Sequence, residues 1–390
     1  MTAPALRLTR LTLSDFRSYE QFVWRPAGRV MVVAGPNGSG KTNLLEAISL
    51  LTPGRGLRGA RVAELPRRGA GAWAVAGRFE TPVGAVDIGT GSPPDGPVER
   101  RVFRLDGAAP RSQADIAQRV AAVWLTPQMD RLFQEGVSGR RRFLDRLVYA
   151  VEPGHAREVS AYETAMASRN RLLAERRGEA VWLDGIEEAM ARHAVAATVA
   201  RAGLVARLNA AFAAGDAGGF PAARMSLLCG IADRLEREPA LAVEDWLRGA
   251  LAAGRGRDAA AGGAVLGAHR ADMGLADAES GQPAGQASTG QQKALLIAVI
   301  LGHAALLARA RGFGPLLLLD EPAVHLDAQR RVALFETLAG LPAQSFLTGT
   351  DVETFAPLRG RAGMWLSGQG VCPGVTADHA RHEAEEWRSE

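Results

Sequence analysis

Gly35-Pro36-Asn37-Gly38-Ser39-Gly40-Lys41-Thr42 is the stretch whose reading decides the fold. It follows a short apolar run, Val30-Met31-Val32-Val33-Ala34, and precedes a segment with Leu44, Leu45, Ile48 and Leu51 at helical spacing. Strand, glycine loop and helix in that order make a phosphate cradle. Backbone N–H groups between Gly35 and Lys41 and the start of the helix face a phosphate chain, Lys41 reaches the β- and γ-phosphates, and the Thr42 hydroxyl joins a Mg²⁺ shell. The ligand such a loop suits is ATP with Mg²⁺. A glycine-rich turn without a ligand is the plain alternative, and the flanking strand and helix weigh against it.

Lysine usage points to the same place. The chain has 46 Lys and Arg residues, yet lysine stands only at Lys41 and Lys293. A compact ammonium and a wide planar guanidinium are not interchangeable where a phosphate nest fits one small cation. A GC-rich genome would replace lysine with arginine wherever structure tolerates it, which marks these two positions as ones where the exchange was not tolerated. Lys293 has the alternative of being a surface residue early in a helix.

Far downstream, four leucines from Leu316 to Leu319 end in Asp320-Glu321-Pro322. A continuous apolar run reads as a parallel strand buried on both faces, and acids at its carboxyl end lie where ligands bind in open α/β sheets. Asp320 is placed to hold the metal through water and Glu321 to orient the attacking water, the positioning that phosphoryl transfer asks of a protein. Acids that merely end a strand are the alternative. Ser288-Thr289-Gly290-Gln291-Gln292-Lys293 precedes an apolar helix from Ala294 to Leu307 and resembles the signature sequence of ABC-type ATPases, which grips a γ-phosphate at a helix N-terminus. The resemblance implies that Ser288, Gly290 and Gln291 act on nucleotide held by a second copy, in a head-to-tail, ATP-dependent homodimer. One ATPase site is thus split across the two ends of the chain.

Several further blocks sharpen the resemblance. Leu11 to Tyr19, Gly35 to Ile48, Arg140-Arg141-Arg142-Phe143-Leu144-Asp145, Tyr162 with Arg169-Asn170, Gly267-Ala268-His269-Arg270-Ala271-Asp272 and Gly290 to Lys293 occur in an order similar to that of the RecF family of bacterial recombination mediators, ABC-type ATPases related to SMC heads. Ala268 stands where that family usually has proline, and Gln128 where an acidic residue is usual. Gln128 matches the glutamine that contacts Mg²⁺ in other ABC-type sites. The resemblance implies an ABC-type P-loop ATPase head of α/β class, with an antiparallel β subdomain and an inserted helical arm. It also implies DNA as a partner, single-stranded, double-stranded or gapped. It implies work with RecO and RecR in loading RecA at single-strand gaps, in repair and the damage response. The histidine switch of many ABC ATPases is not apparent around Thr348-Gly349-Thr350-Asp351, which suits a weak, DNA-stimulated ATPase acting as a timer. Asp327 falls where the family has a dimer-contact loop.

The chain of 390 residues is 47% hydrophobic, enough for a large domain and a smaller one. Expected boundaries are 1–142 for the first half of the head, 143–264 for the arm, 265–376 for the second half and 377–390 for a charged tail. Trp73 to Glu80, Val83 to Ile88 and Val98 to Leu105 read as an antiparallel meander, and Val120 to Leu125 as a further strand. Ser138-Gly139 reads as a break. From Phe143 to about Ala214, two amphipathic helices joined near Gly178 form a hairpin. Val159, Tyr162, Met166 and Leu173 line one stripe, and Trp182, Ile186, Ala189, His193, Ala197, Leu204, Leu208 and Phe212 line the other. His193 reads as a packing residue. Gly254 to Gly263 and Asp277 to Gly285 read as loops.

Cys229 and Cys372 are the two cysteines, with no metal-ligand spacing and no disulfide framework. A reduced, cytoplasmic setting follows as an expectation. No apolar segment reads as the ~20 residues a membrane crossing needs. A net charge of +4 is compatible with a polyanion without identifying one. Arg140 to Arg142 and Arg55, Arg58, Arg61, Arg67 and Arg68 are candidates for phosphate neutralisation, although a solvated face explains any single one of them. Two rival functions share some of these motifs: the nucleotide-binding subunit of a transporter, and a DNA clamp that uses ATP only as glue.

Overall fold

In the computed structural model, which describes residues 6–93, 96, 99–175 and 180–366, the uninterrupted apolar runs become the inner strands of one parallel sheet. The chain divides into two compact units. The first lies within residues 1–130, 215–221 and 288–390, and the second within 131–214 and 222–287.

The first unit begins with β1 (Arg7–Phe16), β2 (Tyr19–Trp24), β3 (Val30–Ala34), α1 (Lys41–Leu50), β4 (Ala74–Thr81), β5 (Gly84–Gly91), β6 (Val102–Leu105), α2 (Gln113–Arg119) and β7 (Ala122–Leu125). The segments expected as an antiparallel meander are β4, β5 and β6, with Val98 outside the described residues. β4 pairs with β1, giving an antiparallel sheet of order β2-β1-β4-β5-β6. Burial alternates along β4, so one face packs inward and the other meets solvent.

After the second unit the chain returns with α9 (Thr289–Arg311), β10 (Leu316–Leu319), α10 (Ala328–Gly340), β11 (Ser345–Gly349) and β12 (Gly363–Leu366). The parallel sheet has the order β12-β3-β11-β10-β7. Its register pairs Leu319 with Leu347 and with Leu125, and Gly349 with Ala34, so the carboxyl ends of β3, β7, β10 and β11 lie level. Every residue of those four strands is buried. Against them pack Leu44, Leu45 and Ile48 of α1, each 0% exposed. Burial of such side chains is worth about 1.5–3 kcal/mol apiece.

The second unit holds α3 (Val137–Val151), α4 (His155–Glu175), α5 (Ala180–Ala213), β8 (Ala223–Leu228), α6 (Gly230–Leu235), α7 (Ala240–Ala253), α8 (Arg255–Ala261) and β9 (Asp272–Asp277). It is wider than the arm expected at 143–264. Arg140 forks onto Asp272 at 2.7 and 2.8 Å, and β9 pairs with β8, which ties both flanks into the helical unit. α3 runs through Ser138-Gly139, with Gly136 as its N-cap. The glycine-rich stretch from Gly254 to Gly263 contains α8, whose Asp258 carboxylate is anchored by Arg169. α4 and α5 pack side by side, and their expected join near Gly178, like the tail 377–390 and Cys372, lies outside the described residues.

The expected stripe of α5 holds in its second half, where Ala197, Leu204, Leu208 and Phe212 are buried, and departs at its start. Trp182 is 68% exposed, while Leu183, Glu187, Met190, Ala194, Thr198 and Arg201 face inward. Charged residues on that face explain the difference. Arg169 is fully buried and donates to Glu187 at 2.8 Å, Asp258 at 2.7 Å and the Leu251 carbonyl at 2.7 Å. His193 sits at the boundary, its Nδ1 2.7 Å from Glu158. A second correction concerns apolar length: α5 and α9 are both long and apolar enough to cross a membrane by length and composition, and 72% of the most apolar window of α9 is buried inside the protein. α9 is a core helix in which Gln292, Lys293 and His303 are buried along with the apolar residues.

Removal of Arg169 strands the buried Asp258 carboxylate, while Glu187 keeps Arg255 as its remaining partner. Arg169→Ala is expected to destabilise the protein by about 3–5 kcal/mol in urea denaturation, and a loss under about 1 kcal/mol would show that the ion-pair network is dispensable.

Candidate functional site

The loop from Gly35 to Thr42 joins β3 to α1. Pro36, Asn37 and Gly38 are exposed, Gly35 and Ser39 partly so, and Gly40 and Lys41 are buried. Gly40 carries the conformational demand: its φ is +94°, and a Cβ there would lie 2.9 Å from the Tyr19 hydroxyl. That hydroxyl donates to the Gly40 carbonyl at 3.2 Å. Arg17, two residues earlier, forks onto the buried Glu46 of α1 at 2.9 and 2.7 Å. The Leu11 to Tyr19 block therefore buttresses the loop and its helix from behind. The Lys41 ammonium folds back onto the loop, donating to the carbonyls of Gly35 at 2.7 Å and Pro36 at 2.8 Å. Burial lowers its pKa, opposed by the charges of Glu321 and Asp320.

The acidic strand end meets this loop directly. Asp320 Oδ1 accepts from Thr42 Oγ1 at 3.0 Å and from Thr348 Oγ1 at 2.7 Å. β11 lies between β3 and β10, so Thr348 at its carboxyl end bridges the two. Thr348 also accepts from the Glu321 N–H at 2.9 Å. The donors converging here are oxygens, the set that Mg²⁺ takes. Among the described residues no group of three His, Cys, Asp or Glu side chains stands ready to hold a metal by itself. A cation at Thr42 and Asp320 would take its remaining ligands from phosphate and water.

Glu321 is half-buried and has a φ of 50°, an unusual conformation for a residue with a side chain. Ser288 caps α9 in a closed box: its backbone N–H and hydroxyl each reach Gln291 Oε1 at 3.0 Å, and Gln291 N–H donates to Ser288 Oγ at 3.3 Å. Both side chains are exposed, so the hydroxyl is available to a phosphate once it exchanges its bond to Gln291. Gly290 is in close contact with the acidic turn, since a Cβ would sit 3.0 Å from the His325 carbonyl. Gln128 is exposed in the 3-10 turn Pro127–Arg131, which follows β7. Asp327 caps α10 by accepting from Arg330 N–H at 2.8 Å.

Lys293 is not a surface residue; it is 1% exposed and bonded to the Glu321 carbonyl and Asp130. Most of the arginines considered for DNA are engaged within the fold. Arg58 reaches Asn43 and Glu46, Arg67 reaches Asp15, Arg61 reaches Glu64, and Arg140 reaches Asp272. Arg55, Arg68 and Arg142 are exposed. Tyr19, Arg17, Glu46, Asp130 and Thr348 went unassigned in the reading of the motifs. Arg17, Tyr19 and Glu46 lie within blocks that carry the resemblance, and Thr348 lies in the strand that follows the acidic one.

Residues 10–70 match the family of AAA domains. The chain is 48% identical over 359 residues to the DNA replication and repair protein RecF of Mesorhizobium japonicum, covering 91% of this chain and 94% of that protein. It is 45% identical over 381 residues to RecF of Agrobacterium fabrum, covering 97% and 100%. Among solved structures it resembles the recombination mediator protein RecF-ATPrS in the RecFOR pathway, with a TM-score of 0.80, 23% identity and coverage of 91% and 95%. The Smc head domain of Pyrococcus furiosus aligns with a TM-score of 0.52 at 15% identity, covering 98% and 100%. The fold is that of an ABC-type ATPase head.

Thr348 holds the site together without belonging to any motif. Thr348→Val leaves the Glu321 N–H and Asp320 short of a partner and is expected to cost about 1–3 kcal/mol in urea denaturation. Retention of stability within about 0.5 kcal/mol would show the bridge to be incidental.

Proposed function

The chain belongs to the RecF family of DNA replication and repair proteins, and on that premise we propose that it binds DNA in an ATP-dependent manner, two copies closing head to tail on a pair of ATP molecules. The hydrogen bond from Thr42 to Asp320, which joins the two ends of the chain at the mouth of one parallel sheet, is the observation that supports this reading most directly. ATP lies along Gly35 to Thr42, and Lys41 exchanges its two carbonyl partners for the β- and γ-phosphates. Thr42 and Asp320, with Gln128, would hold Mg²⁺, and the ion would supply neutralisation of phosphate charge. Ser288, Gly290 and Gln291 of the second copy meet the γ-phosphate at a helix N-terminus. Glu321 orients a water whose oxygen attacks the γ-phosphorus. The bond from that phosphorus to the β–γ bridging oxygen breaks, leaving ADP and phosphate.

Hydrolysis is slow, stimulated by DNA, and serves as a timer that reopens the dimer. In the cytoplasm the closed pair clamps DNA at single-strand gaps and, with RecO and RecR, assists the loading of RecA. Contact with phosphates gives affinity with little sequence preference. Membership in a family of DNA replication and repair proteins sets aside the transporter-subunit reading. A clamp with ATP as glue alone differs in one respect, the absence of turnover.

Measured ATP turnover decides between these two, and light scattering of Glu321→Gln tests the ATP-closed dimer that they share. Dimers are expected at saturating ATP and Mg²⁺ and monomers with ADP; a monomer in both conditions contradicts the clamp. Affinity for gapped DNA is expected to fall steeply as salt rises from 50 to 200 mM, by about 10³-fold for six phosphate contacts. Binding insensitive to salt contradicts a phosphate-based grip.

A further inference from the structure

Lysine is kept at two positions, and the phosphate loop accounts for only one of them. Lys293 lies in the first turn and a half of α9, behind the Ser288 and Gln291 cap, in a helix whose next eleven residues are all buried. Its ammonium donates to the Glu321 carbonyl at 3.1 Å and lies 3.3 Å from Asp130 Oδ2. Asp130 belongs to the turn that carries Gln128. One buried cation is therefore shared by the start of α9, the turn of Gln128 and the turn of Glu321.

Such a cation is costly, because burial of an ammonium is unfavourable unless it is paired. An apolar residue of similar length would fill the same space in this apolar helix without that cost, so packing does not account for the ammonium. What it grips does. Glu321 holds a left-handed backbone, a conformation that is unfavourable for a residue with a side chain and persists only when its surroundings over-determine it. Its N–H is fixed by Thr348 and its carbonyl by Lys293, so the backbone from which the carboxylate projects is held on both sides. Gly290 makes a second link between the same two segments, through its close approach to the His325 carbonyl. A guanidinium at position 293 would be too wide for a site with 1% exposure.

We infer that Lys293 is a positioning residue that ties the Glu321 turn and the Gln128 turn to the beginning of α9, so that seating Ser288 and Gln291 on a phosphate sets the direction of the Glu321 carboxylate. This rests on the reading of Glu321 as the group that orients water. Lys293 itself touches no substrate.

Lys293→Met removes the tie, and Lys293→Met with Asp130→Asn removes it without stranding a carboxylate. In nucleotide-free protein, hydrogen exchange of residues 320–326 is expected to quicken about 10-fold in both variants, a loss of about 1.4 kcal/mol in local protection, with residues 33–42 unchanged. Where wild type turns over ATP, kcat is expected to fall about 10- to 100-fold while the Kd for Mg-ATP stays within about 2-fold. In a Glu321→Gln background, Lys293→Met is expected to lower turnover no further. Unchanged exchange at 320–326, or an equal further loss in the Glu321→Gln background, overturns the inference. Absence of turnover in wild type instead counts against hydrolysis as a timer, and the exchange result still decides the role of Lys293.

Discussion

Two hydrogen bonds onto one carboxylate oxygen, from Thr42 at 3.0 Å and Thr348 at 2.7 Å, hold the first unit to its purpose. They join a loop that begins at residue 35 to strand ends reached only after residue 316, and they lie in a region where Asp320 is 5% exposed. A buried carboxylate is tolerable only with such partners. The strand order β3-β11-β10 makes them possible, because the bridging strand brings a hydroxyl to the point midway between loop and acid. The long stretch of chain between β7 and β10 is free to fold elsewhere so long as these strands close.

That stretch contains several buried charges. Arg169, Glu187, Asp258, Arg201 and Asp145 are linked by short ion pairs, and the Tyr162 hydroxyl lies 2.6 Å from His269 Nδ1. The His269 Nε2 contact to the Ala264 carbonyl places the ring proton on Nε2, so Tyr162 donates to Nδ1. Motif blocks that suggest chemistry when read along the chain, Tyr162 with Arg169-Asn170 and Gly267 to Asp272, are here one structural hub. Asn170 caps the Ala264 N–H at 3.1 Å, and a side chain at Gly267 would collide with the Tyr162 hydroxyl at 2.1 Å.

The phosphate loop, the leucine strand with its acids and the capped helix were legible in the sequence because each is a local pattern with a local cause: a glycine that accepts positive φ, a run buried on both faces, a serine that caps. The residues that brace the site from behind were not. Thr348, Asp130 and Lys293 acquire their roles from strand order and from contacts across more than 25 residues in each case. At the start of α5 a hydropathy pattern places Trp182 in the core and passes over Glu187 and Arg201, which their ion-pair partners draw into the interior. Ser138-Gly139 and the Gly254 to Gly263 stretch were read as punctuation, yet tertiary anchoring carries helices through both. The apolar length of α9 escaped notice because scattered polar residues interrupt it.

A double-mutant cycle on Mg-ATP binding with Thr42→Val, Asp320→Asn and the pair measures the joining of the two chain ends most directly. A single pocket predicts a coupling of about 0.5–3 kcal/mol between the two positions. Effects that add within about 0.3–0.5 kcal/mol would mean that the two residues do not meet the same triphosphate.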